Sequence, residues 1–420
     1  MATDNAAGVQ TPRGFAEHVV RTLRAAGHQA LWAGGCVRDA LLGATPKDYD
    51  VATSALPGEV RRVFGKRRTL PLGEAFGVIT VLGPKPAGQI EVATFRTEAD
   101  YEDGRRPGTV AFTTAEHDAS RRDFTINGLF YDPLEDRVID YVGGRADLQA
   151  GVIRAIGDAS DRFADDRLRM LRAVRFAAKL SFSIDPATAD AIRRHAAGIG
   201  DVSAERIGGE LRRMLTGGGR GRAARLLHGL ALLGNVVPEL AGAEADACNR
   251  IAEQLERLPQ PTLAGALAVL LLGAAGPRQA AKRAMALKFT RKEADRAAWL
   301  VEHQGALAGA DRQPWSHVQP LLAHAGGAEL VALHEATAAA GGAADDRAAL
   351  AFCRQKLSLP AAELDPPPLV TGDDLVRGGL RPGPRFAELL RTARAAQLDG
   401  RATTPAEAME LVLRAAADRP

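Results

Sequence analysis

Apolar positions recur along this chain with two different periods, and the change from one to the other falls near Ile156. Before it, short apolar runs stand between Gly and Pro. Gln29–Ala33, Asp48–Ala52, Val78–Leu82 and Gln89–Phe95 read as strands, the last two joined by the turn Gly83–Gly88, and Arg137–Tyr141 reads as one more. Phe15–Gly27 and Val37–Leu42 carry helical spacing between them. After Ile156 strand signals nearly vanish and the helical period dominates. Gly217–Gly221 reads as a helix-to-helix loop, and Pro360–Pro368, with three consecutive prolines, as a linker. The longest apolar stretch, Leu263–Gly276, is shorter than the ~20 residues of a membrane span and reads as a buried core helix. The pattern predicts an α+β chain: a mixed α/β region with a small sheet, then an all-helical remainder.

The length of 420 residues predicts two to four packed units. Apolar residues at 46% and charged residues at 25% are an ordinary soluble balance, and a net charge of +3 permits a nucleic-acid partner without demanding one. Cys36, Cys248 and Cys353 are too far apart in sequence for a CxxC metal motif, and read as buried small hydrophobes in a reducing cytoplasm. The N-terminal stretch lacks a basic-then-apolar signal pattern.

The most informative stretch is Gly34-Gly-Cys-Val-Arg-Asp-Ala-Leu-Leu-Gly43, followed by Lys47-Asp-Tyr-Asp50. Two glycines between a strand and a helix let backbone N–H groups approach an anion closely. Asp48 and Asp50 alternate along a predicted strand, so their carboxylates share a face and repel unless a cation sits between them. Hard oxygen donors of this kind suit Mg²⁺, with substrate phosphates completing the shell. Glu91, on a neighbouring predicted strand, reads equally well as a third carboxylate of that site or as a structural strand residue. A second charged block is Arg121-Arg-Asp-Phe-Thr-Ile-Asn127. A third is Ala164-Asp-Asp-Arg-Leu-Arg-Met-Leu-Arg-Ala-Val-Arg-Phe176, where helical spacing makes Asp166 and Arg169 surface neighbours and Arg172 and Arg175 continue their row. By itself that row reads as a solvated, salt-bridged face.

Taken together, Gly34-Gly35, Arg38-Asp39, Leu41-Leu42-Gly43, Asp48 and Asp50 resemble the head signature of the class II nucleotidyltransferases, the CCA-adding enzymes and bacterial poly(A) polymerases of the polymerase-β superfamily. Arg121–Asn127 is similar to that family's second motif, and Asp165-Asp-Arg-Leu-Arg169 to its Glu-Asp-x-x-Arg motif, with Asp165 for the usual Glu and Arg167 where Pro is common. The resemblance runs from about Leu31 to Leu215 and is thin beyond. It implies a polymerase-β-like nucleotidyltransferase head (15–150), a helical neck (151–217), a helical body (218–360) and an RNA-binding helical tail (369–420). It implies that Asp48 and Asp50 hold Mg²⁺, that Asp123 joins them in catalysis, and that Gly34, Gly35, Arg38, Arg121, Arg122 and Asn127 contact the nucleotide. Asp166 and Arg169 would read the base, and Arg172 and Arg175 would complete the nucleotide site. The chemistry of that pair is specific: cytosine and adenine offer an amine donor beside a ring-nitrogen acceptor, uracil and guanine the reverse, so a carboxylate beside a guanidinium favours C and A.

The expected activity is template-independent addition of CCA from CTP and ATP to tRNA 3′ ends, without a membrane partner and in the cytoplasm. A poly(A) polymerase, a CC- or A-adding enzyme, and a catalytically dead RNA-binding scaffold remain alternatives. The segment Thr94–Pro107 is similar to the flexible loop of CCA-adding enzymes. The sole His-Asp dipeptide, His117-Asp118, lies in the head with no histidine partners in the body, so no phosphohydrolase activity is expected.

Overall fold

The computed structural model describes residues 9–101, 107–341 and 346–417, with the main chain only at 97–101, 107–112 and 339–341. The chain divides into two compact units, Met1–Glu210 with Leu226–Val236, and Leu211–Arg225 with Val237–Pro420.

The first unit is built on a sheet. Helix α1 (Pro12–Ala25) starts behind Thr11, whose hydroxyl accepts from the Gly14 amide, and buries Phe15, Val19, Val20 and Leu23 along one stripe. There follow β1 (Ala30–Ala33), α2 (Gly35–Leu41), β2 (Asp50–Thr53), α3 (Pro57–Phe64), β3 (Thr69–Gly73), β4 (Val78–Leu82) and β5 (Gln89–Thr94). Then come β6 (Arg96–Tyr101), β7 (Pro107–Phe112), α4 (Ala115–Ser120), β8 (Phe130–Asp132) and β9 (Arg137–Ile139). Seven of these strands form one sheet in the order β3-β4-β5-β2-β1-β8-β9. Within this sheet only β2 and β5 pair in parallel. Strands β6 and β7 make a separate antiparallel pair.

On β5, Ile90 and Val92 are buried while Glu91 is open, the alternation of a half-buried strand. The Asp50–Glu91 register therefore places two carboxylate-bearing positions side by side. Leu31, Ala33, Ala52, Phe95 and Phe130 pack into a common core with Ala115 and Ala119 of α4.

The helices that complete this unit are α5 (Gly144–Ala150), α6 (Ala159–Asp165), α7 (Leu168–Leu180), α8 (Pro186–His195) and the first half of α9 (Ala204–Thr216), with the small parallel pair β10 (Val152–Ile153) and β11 (Ser183–Ile184). The second unit is helical: it takes α10 (Arg220–Gly229) up to Arg225, the rest of that helix and α11 (Leu233–Val236) being counted with the first unit, and continues with α12 (Ala245–Arg257) and α13 (Leu263–Leu271). All nine residues of α13 are buried, as its unbroken apolar run requires. Helices α14 (Pro277–Ala286), α15 (Arg291–Glu302), α16 (Trp315–Ala323), α17 (Gly327–Gly341) and α18 (Arg347–Leu357) follow. After the short α19 (Ala361–Leu364), a separate apolar cluster of Val370, Leu375, Leu389, Ala393 and Val412 joins α20 (Gly372–Arg377), α21 (Phe386–Leu398) and α22 (Pro405–Ala417). Among the described residues no helix is long and apolar enough to cross a membrane, and all three cysteines are buried and free.

Several expectations are corrected here. The second strand starts at Asp50, and Asp48 lies in the bend before it, so the two carboxylates do not alternate on one strand. Asp166 is outside the helix: its backbone is extended (φ −147°, ψ 100°) and α7 starts only at Leu168. The linker at Pro360–Pro368 is interrupted by α19. The predicted loop at Thr94–Pro107 includes β6 and the first residue of its partner β7, while residues 102–106 lie outside the described residues.

Candidate active site

A cleft of about 640 Å³ opens in the first unit, lined by Gly34, Gly35 and Arg38 from the β1–α2 turn, Asp50 from β2, Phe76, Arg96, the block Arg121–Asp123 with Asn127, and Asp166, Leu168, Arg169, Arg172, Phe176 and Arg206. Three stretches far apart in sequence converge here, and each brings charge.

The turn is tight for a reason. Gly34 has φ +72°, in the region open chiefly to glycine, and an added Cβ would stand 2.9 Å from Nη1 of Arg122. Arg38, on the following helix, is buried. Its Nη1 donates to Oδ1 of Asn127 at 2.7 Å and its Nε to Asp39 at 2.8 Å, and its guanidinium lies over the Phe176 ring at 5.1 Å.

Asp118, on α4, organises the next two arginines. One oxygen accepts from Nε of Arg121 at 2.9 Å, the other from Nε and Nη2 of Arg122 at 3.1 and 2.9 Å. Burial pushes its carboxyl pKa up, but Arg122 and then Arg121 outweigh that and hold it below the ordinary value. The His-Asp reading of the sequence passed over this role, and its signal was the spacing: an acid three and four residues before two arginines on one helical turn.

Asp123 is buried, and its carboxylate is fully engaged. Oδ1 accepts from the Phe124 amide at 2.8 Å and from Nδ2 of Asn127 at 3.0 Å, while Oδ2 takes Arg172 at 2.6 Å. Burial raises its pKa, and Arg172 with these hydrogen bonds more than reverses that.

At the far side, Asp166 accepts from the Leu168 amide at 3.1 Å through one oxygen and from Arg206 of α9 at 2.7 Å through the other. It stands just before Arg167, the N-cap residue of α7, and holds the first helical amide rather than riding on the helix. Arg169 is buried, with Nη2 donating to the Arg121 carbonyl at 3.3 Å and Nη1 to that of Arg162 at 3.4 Å. Arg175 bonds Glu210 at 2.5 Å and lies over the cleft-lining Phe176 ring at 4.1 Å, without itself being among the residues that line the cleft.

The carboxylate side is electrostatically strained. Asp50 keeps an open face to the cleft, but the surrounding protein, then Glu91, push its pKa up; Arg122 pulls back, Asp48 pushes up again, and the net value is about 6. Like charges so crowded suit a divalent cation between them. Among the described residues no three His, Cys, Asp or Glu side chains form a closed metal cluster; an open carboxylate set completed by phosphate oxygens does not require one.

A mixed sheet with a Gly-Gly turn, crowded carboxylates on its adjacent central strands and an arginine-rich wall beside them is the arrangement of a polymerase-β-like nucleotidyltransferase head. Residues 30–154 match the poly A polymerase head domain, and residues 181–243 match the probable RNA and SrmB-binding site of polymerase A. The CCA-adding enzyme of Lactiplantibacillus plantarum is 43% identical over 211 residues, 50% of this chain and 51% of that protein. That of Bacillus subtilis is 44% identical over 208 residues, 49% and 50%. The chain thus spans about half the length of the curated relatives it matches. Among solved structures, the Bacillus stearothermophilus CCA-adding enzyme in complex with CTP superposes with a TM-score of 0.75 at 29% identity, covering 97% of this chain and 98% of that one. Through these regions the chain is similar to the CCA-adding enzymes and the poly(A) polymerases.

Proposed function

We propose that the protein adds CCA to tRNA 3′ ends, taking CTP and ATP as substrates and acting in the cytoplasm. The observation that carries the reading is the cleft, where Asp50 faces a wall holding Arg38, Arg121, Arg122, Arg169 and Arg172. In the reaction the RNA 3′-hydroxyl attacks the α-phosphorus in line, a new P–O bond forms, and the bond to the leaving pyrophosphate breaks.

Asp48 and Asp50, with Glu91 beside them, are the residues that would hold Mg²⁺; bound there, it would lower the pKa of the attacking hydroxyl and neutralise the phosphates. Arg121 and Arg122, fixed by Asp118, present guanidiniums to triphosphate oxygens. Asp123 positions Arg172 and Asn127 and does not itself meet the reacting atoms. Asp166 and Arg169 face the base, and Arg206 holds the Asp166 carboxylate in its reading orientation. The head, neck, body and tail boundaries near residues 150, 217 and 360 belong to this reading.

The test is incubation with tRNA transcripts ending before CCA, after C and after CC, each with CTP, ATP or both. Extension to CCA from all three is the expected result. Long A tracts on unstructured RNA would favour the poly(A) alternative, and no incorporation would favour the inert scaffold.

A further inference from the structure

Beyond the cleft, one surface of the head concentrates charge. Residues 56–73 carry five cations (Arg61, Arg62, Lys66, Arg67, Arg68) against one acid (Glu59), a balance of 5 − 1 = +4, more than the +3 of the entire chain. Glu59 is occupied in accepting the Leu56 amide at 2.8 Å, and Arg61 leans to Glu74 at 3.4 Å. Arg62, Lys66, Arg67 and Arg68 are exposed.

The basic turn leads straight into β3, one of the two edge strands of the seven-stranded sheet. Such an edge shows unpaired backbone groups, and this one also shows apolar side chains: Leu70 is 37% and Leu72 80% exposed. The chain then reaches Phe76, 45% exposed, whose ring lines the cleft. Five strand residues span ~17 Å. A row of cations, an apolar strip and an open aromatic at the cleft mouth thus lie along one continuous run of chain.

From this we infer that the Lys66–Arg68 turn and the β3 edge form the track along which the 3′-terminal strand of the RNA enters. The inference rests on the proposed transfer to RNA, which it deepens by naming where that RNA lies. Phosphates suit the exposed cations, because each neutralised phosphate releases condensed counterions. Unpaired bases suit Leu70, Leu72 and the Phe76 face, because stacking and apolar contact need no sequence. An acidic protein would match the cations but would leave the cleft-ward aromatic without a role.

The experiment uses the full chain with Lys66→Glu, Arg67→Glu and Arg68→Glu combined, and separately Leu72→Ser. Affinity for a tRNA transcript lacking CCA is read by fluorescence anisotropy over a salt series, beside CTP affinity and oligomeric state. The triple variant is expected to bind RNA at least ~10-fold more weakly, with a salt slope smaller by about 2 for three lost single-strand contacts, and to bind CTP as wild type does. Leu72→Ser is expected to weaken RNA binding several-fold with the salt slope unchanged. Because CTP binding also reports the fold of the cleft, a misfolded variant is recognised. Wild-type affinity and slope in the triple variant, with the wild type active, would overturn the track alone. A changed oligomeric state with RNA affinity intact would assign the edge to protein pairing and also overturn it. A wild type that neither binds RNA nor incorporates nucleotide would instead remove the functional reading beneath it.

Discussion

Asp50 is placed where its ionised form is costly. Its pKa of about 6 lies above the ordinary 3.8, so the folded protein holds a proton there that the unfolded chain has released. The cost of ionisation develops as pH rises between those two values and is fully present above the upper one. Asp50→Asn removes the charge. In metal-free protein at pH 8 it should raise Tm relative to wild type, and the gain should vanish near pH 4. Added Mg²⁺ should then stabilise only the wild type, and incorporation by the variant should fall at least ~100-fold. Equal melting at both pH values would mean that the carboxylates do not crowd one another. Asp118 offers a second residue-scale test. Asp118→Asn keeps the shape but not the charge, and should raise the nucleotide KM ~10-fold as the two arginines lose their fixed fork. Asp118→Ala strands two guanidiniums beside a buried gap and should cost ~3–5 kcal/mol of stability. An Asn variant with an unchanged nucleotide KM would make Asp118 purely structural. The sequence made the wall of arginines legible residue by residue, because charged blocks are local. It did not reveal that Asp123 and Arg175 are already paired, since their partners Arg172 and Glu210 lie 49 and 35 positions away.

At the scale of the element, the strands read most easily were β4, a mostly β-branched run between glycines, and β5, with its period of two. Strand β3 was missed because Pro71 removes a ladder donor, which argues against a central strand and is tolerated at an edge; the sheet order puts it there. The misplacement of Asp166 has the same kind of cause: its short side chain competes for nearby amides and ends up accepting the Leu168 N–H, so the helix begins after it. Two effects should therefore separate in Asp166→Ala. Loss of the hydrogen bond to the Leu168 amide costs ~1 kcal/mol, and loss of the base acceptor relaxes selectivity for CTP and ATP over UTP and GTP by ~1–3 kcal/mol, or about 5- to 150-fold. Misincorporation assays beside thermal melts would resolve them, and unchanged selectivity would reduce the residue to an acceptor for the first helical amide. In the second unit, Glu293 at the first turn of α15 is gripped by Arg212 at 2.6 and 3.0 Å and also closes the capping box with Thr290. The Arg212 hydrogen bonds are the main reason its pKa falls from 4.5 to about 2, burial acting against them and Thr290 with them. Stability from this group is present above pH 4.5 and is lost as pH falls through about 2. Glu293→Gln should accordingly lower the Tm at pH 7 and converge with wild type near pH 2, and an equal deficit at both pH values would point to packing instead of charge.

For the whole molecule, what matters is that the cleft and the C-terminal helices fall in different compact units. Every cleft-lining residue belongs to the first unit, whereas α20, α21 and α22 close around their own apolar cluster of Leu375, Leu389, Ala393 and Val412. These helices are tied locally: Arg394 bonds Asp365 at 2.6 Å, and the Asp399 carboxylate accepts from the Ser316 amide at 2.9 Å and its hydroxyl at 3.0 Å. A chain ending at Leu364 removes that cluster whole and leaves no half of it exposed; Gln319 loses its 2.9 Å contact with Asp365 but keeps the one to the Leu364 carbonyl. If nucleotide chemistry resides in the first unit and the tail serves to grip a folded RNA, the shortened protein should bind CTP as the full chain does. It should still add C and A to a short single-stranded acceptor, but its KM for tRNA should rise ~10-fold or more, because the binding energy of the remote part of a large substrate is gone. The measurement is a pair of KM determinations, tRNA lacking CCA against a short oligonucleotide, for both chain lengths. Parallel loss on both acceptors would show that the tail supports the cleft itself. An unchanged preference for tRNA would place recognition of the folded RNA outside residues 365–420.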